Sequence, residues 1–304
     1  MMARQGNGQT TTSVPARPGC YRRMMRTRIT RLLIVALVIA AGYIGWRDTT
    51  SVRLLAVEIP VAALSRDVTV LHVSDLHGAR FGTGQADIAR LLEGRSFDAI
   101  VLNGDHIPSF EADPAPALEL LAVARRHAPV VFVTRGNHDT IGVIEDLVAQ
   151  GATSLPTAGT AVRFATDAGT VVAAPAIDAT GVPDDAAVVL AVGHYPMTGE
   201  AMLGQHLPDA AARVFLFGHA HGGQIRLPLI GALWAPAPLT LEGFATSRHA
   251  GDAFFPELRG RTLAGLTSAD GVHVHTSAGL GTHAVGLRFL CPAEMTVITL
   301  RAAD

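Results

Sequence analysis

The chain has 304 residues and no lysine; all 24 of its basic residues are arginine, a compositional bias with no function attached to it here. Cysteine is nearly absent. Cys20 and Cys291 are the only two, so no disulfide framework is implied. Aromatic residues make up 5% of the chain, yet 49% is hydrophobic and 31 residues are glycine, enough apolar material for a large core built from small side chains. Acidic residues are missing from the first 46 positions, where Arg4, Arg17, Arg22, Arg23, Arg26, Arg28 and Arg31 stand; beyond them 17 arginines face 26 acidic residues, a net charge of −9. An acidic body argues against nucleic-acid binding by that body, and a basic head suits membrane targeting.

The head supports that reading. Residues 1 to about 20 are polar and rich in Gly, Thr, Ser and Pro, as disordered segments are. The arginines then lead into an uncharged stretch from Leu32 to Trp46, closed by Arg47 and Asp48. A spanning helix needs about 20 apolar residues. Extension back through Ile29 and Thr30, with Arg31 snorkelling, brings the stretch near that length. The expected organisation is a disordered basic cytoplasmic head at 1–28, a single-pass transmembrane signal anchor at 29–47, a linker at 48–65 and one folded domain at 66–304. A cleaved signal peptide is the alternative, with Ala40-Ala41-Gly42 as its small-residue cleavage site. Either way, positive charge stays inside, which places the body at the cell membrane on the non-cytoplasmic side. Cys20 and Cys291 then lie on opposite sides and cannot pair.

In the body, five apolar β-rich runs each end in polar residues. Val68 to Val73 ends at Ser74-Asp75, and Ala99 to Leu102 at Asn103-Gly104-Asp105. Pro129 to Val133 leads to Arg135-Gly136-Asn137-His138, Ala187 to Val192 to Gly193-His194, and Arg213 to Phe217 to Gly218-His219. Continuous apolar runs of this length suit strands buried on both faces. Helical patterns fall at 85–93, 115–127, 141–150 and 197–205, a hairpin joins 161–165 to 170–174, and later strands fall at 272–276 and 295–300. The alternation indicates a layered α/β core with its site at the carboxyl ends of the strands.

The residues at those ends suit divalent metals. Asp75 and His77 stand two apart, as do His219 and His221; in extended chain each pair shares a face and can clasp one ion. Asp105 follows a glycine at a strand end, where a carboxylate can bridge two ions. Asn137 offers a neutral oxygen, and Asp139 is placed to orient His138. Mixed oxygen and nitrogen donors favour Mn2+, Fe2+/Fe3+ or Zn2+ over Mg2+ or Ca2+ alone. Two metals sharing a carboxylate point to hydrolysis at phosphorus. Of the remaining histidines, His106 and His283 are the two most apt to join the site.

The ordered set Asp75-Leu76-His77, Gly104-Asp105, Gly136-Asn137-His138-Asp139, Gly193-His194 and Gly218-His219-Ala220-His221 resembles the calcineurin-like metallophosphoesterase superfamily. The run from Gly218 to Pro228 and the tail from Gly279 to Met295 are similar to its branch of membrane-anchored or exported bacterial phosphoesterases, which includes a UDP-2,3-diacylglucosamine pyrophosphatase of lipid A synthesis. The resemblance implies a four-layer αββα sandwich of two mixed β-sheets. It implies that Asp75, His77, Asp105 and His221 hold one metal, that Asp105, Asn137, His194 and His219 hold the second, and that a hydroxide bridging them attacks phosphorus. His138 is then the catalytic group beside the phosphoryl oxygens or the leaving group. Arg135 stands where it can help neutralise phosphate. Two positions depart from the pattern: Pro108 stands where a second acidic residue is usual, and Ala220 where threonine is common.

The expected activity is therefore two-metal hydrolysis of a phosphomonoester or phosphodiester beside a membrane. A lipid-linked nucleotide sugar is the alternative substrate. A metal-bound scaffold without turnover is the rival from another class, and the complete set of ligand positions argues against it. The loops 108–116 and 229–256 are expected to shape the substrate pocket; Leu227-Pro228-Leu229-Ile230, with Trp234, either packs, the favoured reading, or touches lipid.

Overall fold

The computed structural model describes residues 18–165, 167–197, 202, 207–208, 211–236, 254–259, 262–269 and 271–303. The chain divides into two compact units, Met1–Tyr43 and Ile44–Asp304. Helix α1 spans Pro18–Thr50 and crosses that division. Proline at its first position suits a helix start, and the Arg and Met residues that follow are good helix formers. The helix therefore occupies 18–28, which the sequence reading assigned to a disordered head. Within it, the 26 residues Met25–Thr50 are long and apolar enough to cross a membrane.

In the body, two six-stranded mixed sheets carry the core. The first has the order β1 (Val52–Pro60), β16 (Ala293–Arg301), β2 (Val68–Ser74), β3 (Ala99–Asn103), β4 (Val131–Thr134) and β5 (Thr153–Ser154). The second runs β14 (Gly265–Ala269), β15 (Val272–Thr276), β11 (Ala212–Phe217), β10 (Val188–Val192), β8 (Val171–Pro175) and β7 (Val162–Phe164). Among the described residues there are also two small two-stranded pairs: β6 (Gly159–Thr160) with β9 (Ala179–Thr180), and β12 (Arg226–Leu227) with β13 (Gly231–Ala232).

Helices α2 (Ala86–Leu92), α3 (Ala115–Ala124) and α4 (Ile141–Ala149) cover the outer face of the first sheet, burying Ile88, Leu120 and Leu147 against Leu71, Ile100 and Val133. Between the sheets, Val70, Val101, Phe132 and Ile298 meet Ala173, Leu190, Val214 and Leu216. The outer face of the second sheet buries Val189, Ala191, Phe215 and Phe217. The helix expected there, 197–205, lies outside the described residues apart from Met197 and Met202. Strand alternation explains the layering: Val68 and Val70 face the partner sheet, while Leu71 and Val73 face the helices.

One expectation is corrected. The stretch 48–65 is not merely a linker, because it contains β1, paired in parallel with β16 from Val52↔Ala293 to Pro60↔Arg301. β1 is an edge strand with mostly exposed side chains, and its partner lies more than two hundred residues away in sequence. Proline is tolerated at such an edge.

A polar seam crosses the apolar interior below the strand ends. Asn103 Nδ2 lies 3.0 Å from the Gly193 carbonyl, 3.1 Å from that of Leu216 and 3.1 Å from His72 Nε2. The hydroxyl of Thr134 donates to Asn103 Oδ1 at 2.7 Å, which fixes the orientation of the amide. Asn103 thus ties the first sheet to the second at the edge where the site forms.

Candidate metal centre

The carboxyl ends of β2, β3 and β4 in the first sheet, and of β10 and β11 in the second, meet at one edge of the sandwich. Each sequence-selected residue sits in the loop leaving one of these strands. Asp75 and His77 follow β2, Asp105 follows β3, Asn137 and His138 follow β4, His194 follows β10, and His219 and His221 follow β11. Asp75 and His77 converge on one cluster, whereas His219 and His221 go to different ones, and neither pair is in extended chain. Asp75, His77, Asp105, His219 and His221 all have positive φ, from 46° to 66°. Left-handed backbone at non-glycine residues costs energy and concentrates at functional sites. The neighbouring loops hold it in place: Asp75 N donates to the Gly104 carbonyl at 3.1 Å, His77 N to that of Asp105 at 2.8 Å, and His219 N to Asp75 Oδ1 at 3.0 Å.

Asp105 is the centre of the cluster. Its Oδ2 lies 3.3 Å from His77 Nε2 and 3.2 Å from His194 Nε2. One potential ligand group contains Asp75, His77, Asp105 and His221; a second contains Asp105, His194 and His219; within each, the ligand atoms lie within 4.8 Å of one another. Asn137 joins the second group through Oδ1, 3.1 Å from His194 Nε2. Both groups are buried, whereas Asn137 and His138 are half-buried.

The donor chemistry fits cations. His77 Nε2 and His221 Nε2 face each other at 3.1 Å, and at most one proton can sit between them. Nδ1 of His194 and Nδ1 of His221 are buried without a hydrogen-bond partner. Burial opposes a charge on His194, but the Asp105 and Asp75 carboxylates outweigh it and raise its pKa to about 9. Burial, then the neighbouring His77, pushes His221 well below the usual histidine range. Buried carboxylates crowded against imidazole nitrogens make a divalent-metal site of mixed oxygen and nitrogen donors.

Two glycines let the loops close on Asp105. A Cβ on Gly136 would collide with the Asp105 backbone N and Oδ1. Gly104 has φ +67°, and a Cβ there would come 2.5 Å from His194 Nδ1. A side chain at Gly136 would displace Asp105, and one at Gly104 would displace His194.

The surrounding residues act differently from the sequence reading. Asp139 does not hold the His138 ring. Its Oδ1 accepts from the backbone N–H of His106 at 2.7 Å and of Ile107 at 3.2 Å, and its Oδ2 accepts from Gly136 N at 2.9 Å. Asp139 is a buried clamp joining the β3 and β4 loops. The His138 ring is held instead by the Pro108 carbonyl, which accepts from Nδ1–H at 2.9 Å. A carbonyl can only accept, so Nδ1 carries the proton and Nε2 stays available to the site. Arg135 is exposed; its Nε donates to the Asp139 carbonyl at 3.1 Å. Of the two extra histidines, His106 is buried behind the site, 3.0 Å from the Thr134 carbonyl, whereas His283 forms a third cluster with His77 and His138.

Sequence reasoning missed Tyr195 and Ser74. The Tyr195 ring lies 4.4 Å from that of His219, and Ser74 Oγ donates to Asp75 Oδ2 at 2.6 Å. Adjacency to His194 and Asp75 was the only signal either offered. A cavity of about 300 Å³ opens beside the second ligand group, lined by Arg135, Asn137, His194, Leu155, Ile177 and Tyr195. Among the described residues its walls include none from the two loops expected to shape a pocket; 237–253 lies outside the described residues. Leu229 does not pack: it is fully exposed at the tip of the β12–β13 hairpin.

The profile of the calcineurin-like phosphoesterase family matches residues 68–223, which span all five strand-end loops. The chain belongs to the calcineurin-like phosphoesterase family. It is similar to phosphodiesterase YaeI of Escherichia coli (strain K12), 28% identical over 249 residues that cover 76% of this chain and 81% of that protein. It is also similar to the uncharacterized metallophosphoesterase YkuE of Bacillus subtilis (strain 168), 30% identical over 107 residues, 33% of this chain and 30% of the relative. This calcineurin-like phosphoesterase is a phosphoester hydrolase, and its clustered carboxylates and imidazoles are suited to divalent metal ions.

Proposed function

We propose that the chain is a phosphodiesterase that works through two divalent cations and is anchored by α1, with its body on the non-cytoplasmic face of the membrane. The observation that carries the site is Asp105 Oδ2, within 3.3 Å of His77 Nε2 and 3.2 Å of His194 Nε2 and common to both ligand groups. Asp75, His77, Asp105 and His221 would hold one cation; Asp105, Asn137, His194 and His219 would hold the other. Bound there, two cations supply a nucleophile at neutral pH and offset phosphate charge.

The chain's own residues do the rest. His138, with Nδ1–H committed to Pro108 and its ring 4.9 Å from that of His77, keeps Nε2 available and can pass a proton to the leaving oxygen. Arg135 lines the cavity beside Asn137, where a guanidinium neutralises phosphate oxygens. The mixed lining of that cavity, with Leu155 and Ile177 beside Tyr195, suits an organic substituent on the phosphate. The similarity to a phosphodiesterase favours a diester.

The test is the full-length protein in detergent with Mn2+ or Zn2+, assayed on bis(p-nitrophenyl) phosphate, p-nitrophenyl phosphate and UDP-2,3-diacylglucosamine. The diester should turn over fastest. Turnover of the monoester alone would refute the diester assignment, and preference for the nucleotide sugar would favour the lipid-linked pyrophosphate reading. A C-terminal reporter active only outside the cytoplasm checks the orientation.

A further inference from the structure

We propose that the loop 283–290 is a membrane-contacting lip, with Val285, Leu287 and Leu290 seated in the lipid–water interface beside the end of α1, so that the metal centre opens at the bilayer surface. The inference rests on the reading that α1 crosses a membrane.

Three properties meet in this short segment. At one end it lines the site: His283 clusters with His77 and His138, and its ring stacks on Trp234 at 5.9 Å with an interplanar angle of 7°. In the middle it exposes apolar side chains: Val285 is 48%, Leu287 40% and Leu290 38% exposed. It also touches the last turns of α1. A Cβ on Gly45 would come within 2.9 Å of Leu287 Cδ1, and Arg288 N donates to Thr49 Oγ1 at 2.8 Å. Gly45, Thr49 and the loop all belong to the same compact unit. The end of a spanning helix lies at the lipid–water boundary, and Trp46, exposed in that same turn, is the residue type that anchors there. A loop in contact with that turn lies at the same boundary.

The exposure is built rather than incidental. Gln224 Nε2 donates to the carbonyls of Val285 and Leu287, and its Oε1 accepts from His283 N at 2.7 Å. Phe289 N donates to the Gln224 carbonyl at 2.9 Å, and Arg226 N to that of Phe289 at 2.9 Å. The only charged residue between 282 and 290 is Arg288, and it turns inward to full burial, donating to the carbonyls of Gly281 and Ala278. A pinned loop that buries its charge and exposes its aliphatic side chains is the reverse of a water-facing surface, and such patches mark contact sites. The bridge Ile225↔Phe289 joins the lip to the β12–β13 hairpin, whose tip presents Leu229 and Ile230. Continuity with α1 selects a lipid surface over a protein partner.

The experiment uses the full chain with Cys20→Ser, Cys291 being buried. Single cysteines are introduced by Val285→Cys, Leu290→Cys or Arg95→Cys and carry an environment-sensitive NBD label. Each protein is reconstituted in vesicles of dioleoylphosphatidylcholine and dioleoylphosphatidylglycerol with a shallow doxyl lipid quencher. The labels at 285 and 290 should be quenched at least threefold more than the label at 95. Val285→Asp combined with Leu290→Asp should keep bis(p-nitrophenyl) phosphate turnover within twofold and halve the quenching of a label at Leu229→Cys. Unquenched labels at 285 and 290, in protein that floats with vesicles and cleaves the soluble diester, would overturn the lip while leaving anchor and enzyme standing. Failure to float removes the anchor and the lip together. A label shielded instead by a concentration-dependent dimer would assign this face to a second copy and overturn the lipid reading. Loss of diester cleavage with quenching intact would refute the enzymatic reading alone.

Discussion

The Nδ1–H of His138 donates to the backbone carbonyl of Pro108 at 2.9 Å. Pro108 occupies the position where the family pattern places a second acidic residue, so a main-chain oxygen orients the histidine here. A carbonyl survives side-chain replacement. Pro108→Ala should therefore keep kcat within about fivefold, whereas His138→Ala should lower it by roughly 10²–10⁴, the usual worth of a positioned proton-transfer group. Steady-state kinetics on a soluble diester with metal content measured in parallel checks both. Equal losses in the two variants would mean that the Pro108 ring, not its carbonyl, is what matters.

Asp105 belongs to both ligand groups, whereas His219 belongs to one. Asp105→Asn should accordingly lose both metals, and His219→Ala should lose one while retaining the other. Elemental analysis of freshly purified variants reads this directly, with circular dichroism to confirm folding. If Asp105→Asn and His219→Ala retained the same metal content, the shared-carboxylate arrangement would be wrong.

The clustered residues were legible in sequence because their chemistry is local: a strand-end aspartate or histidine among glycines has few other uses. Their backbone was not. Asp75, His77, His219 and His221 reach the site through positive φ, which strand-end spacing does not announce, so the extended-chain argument has the wrong geometry and pairs His219 with His221 although they belong to different clusters. Asp139 misled through adjacency; beside His138 in sequence, it spends its carboxylate on the amides of His106, Ile107 and Gly136. β1 was invisible for another reason. Its pairing with β16 is non-local, and its apolar residues Leu54 to Val57 are flanked by Arg53 and Glu58 on an edge with mostly exposed side chains.

The inter-sheet seam makes stability sensitive to acid. Asn103 Nδ2 donates to His72 Nε2, which leaves the proton on His72 Nδ1 to reach His275 Nδ1 at 2.9 Å. Burial, then the neighbouring His275, holds His72 well below the usual range, and burial lowers His275 to about 4. Histidine in the unfolded chain titrates near ~6.5. Between these values the unfolded state binds more protons, so this contribution is fully present above pH ~6.5 and is lost as pH falls towards 4. Urea midpoints measured with chelator from pH 7.5 to 5 should fall more steeply for the wild type than for His275→Asn, which keeps an acceptor but cannot titrate. Parallel curves would exclude the pair as the acid-sensitive element.

Arg288 supports the metal centre from below. Its Nε and terminal nitrogens donate to the carbonyls of Gly281 at 2.9 and 2.6 Å, Ala278 at 2.7 Å and Cys291 at 3.3 Å. The segment so held in turn supports the Asp75 loop, through Leu280 N to the Ser74 carbonyl at 3.0 Å and Gly281 N to that of Asp75 at 2.7 Å. Arg288→Met removes every donor and leaves those buried carbonyls without partners, a cost of about 2–4 kcal/mol. Arg288→Lys keeps the charge but cannot reproduce the planar fork, so it should fall between. Urea unfolding should rank the wild type, the lysine variant and the methionine variant in that order. Metal affinity should follow the same order, because a loosened 278–281 segment frees the backbone that presents Asp75 and His77. A methionine variant as stable as the wild type would show that the guanidinium is dispensable to this support.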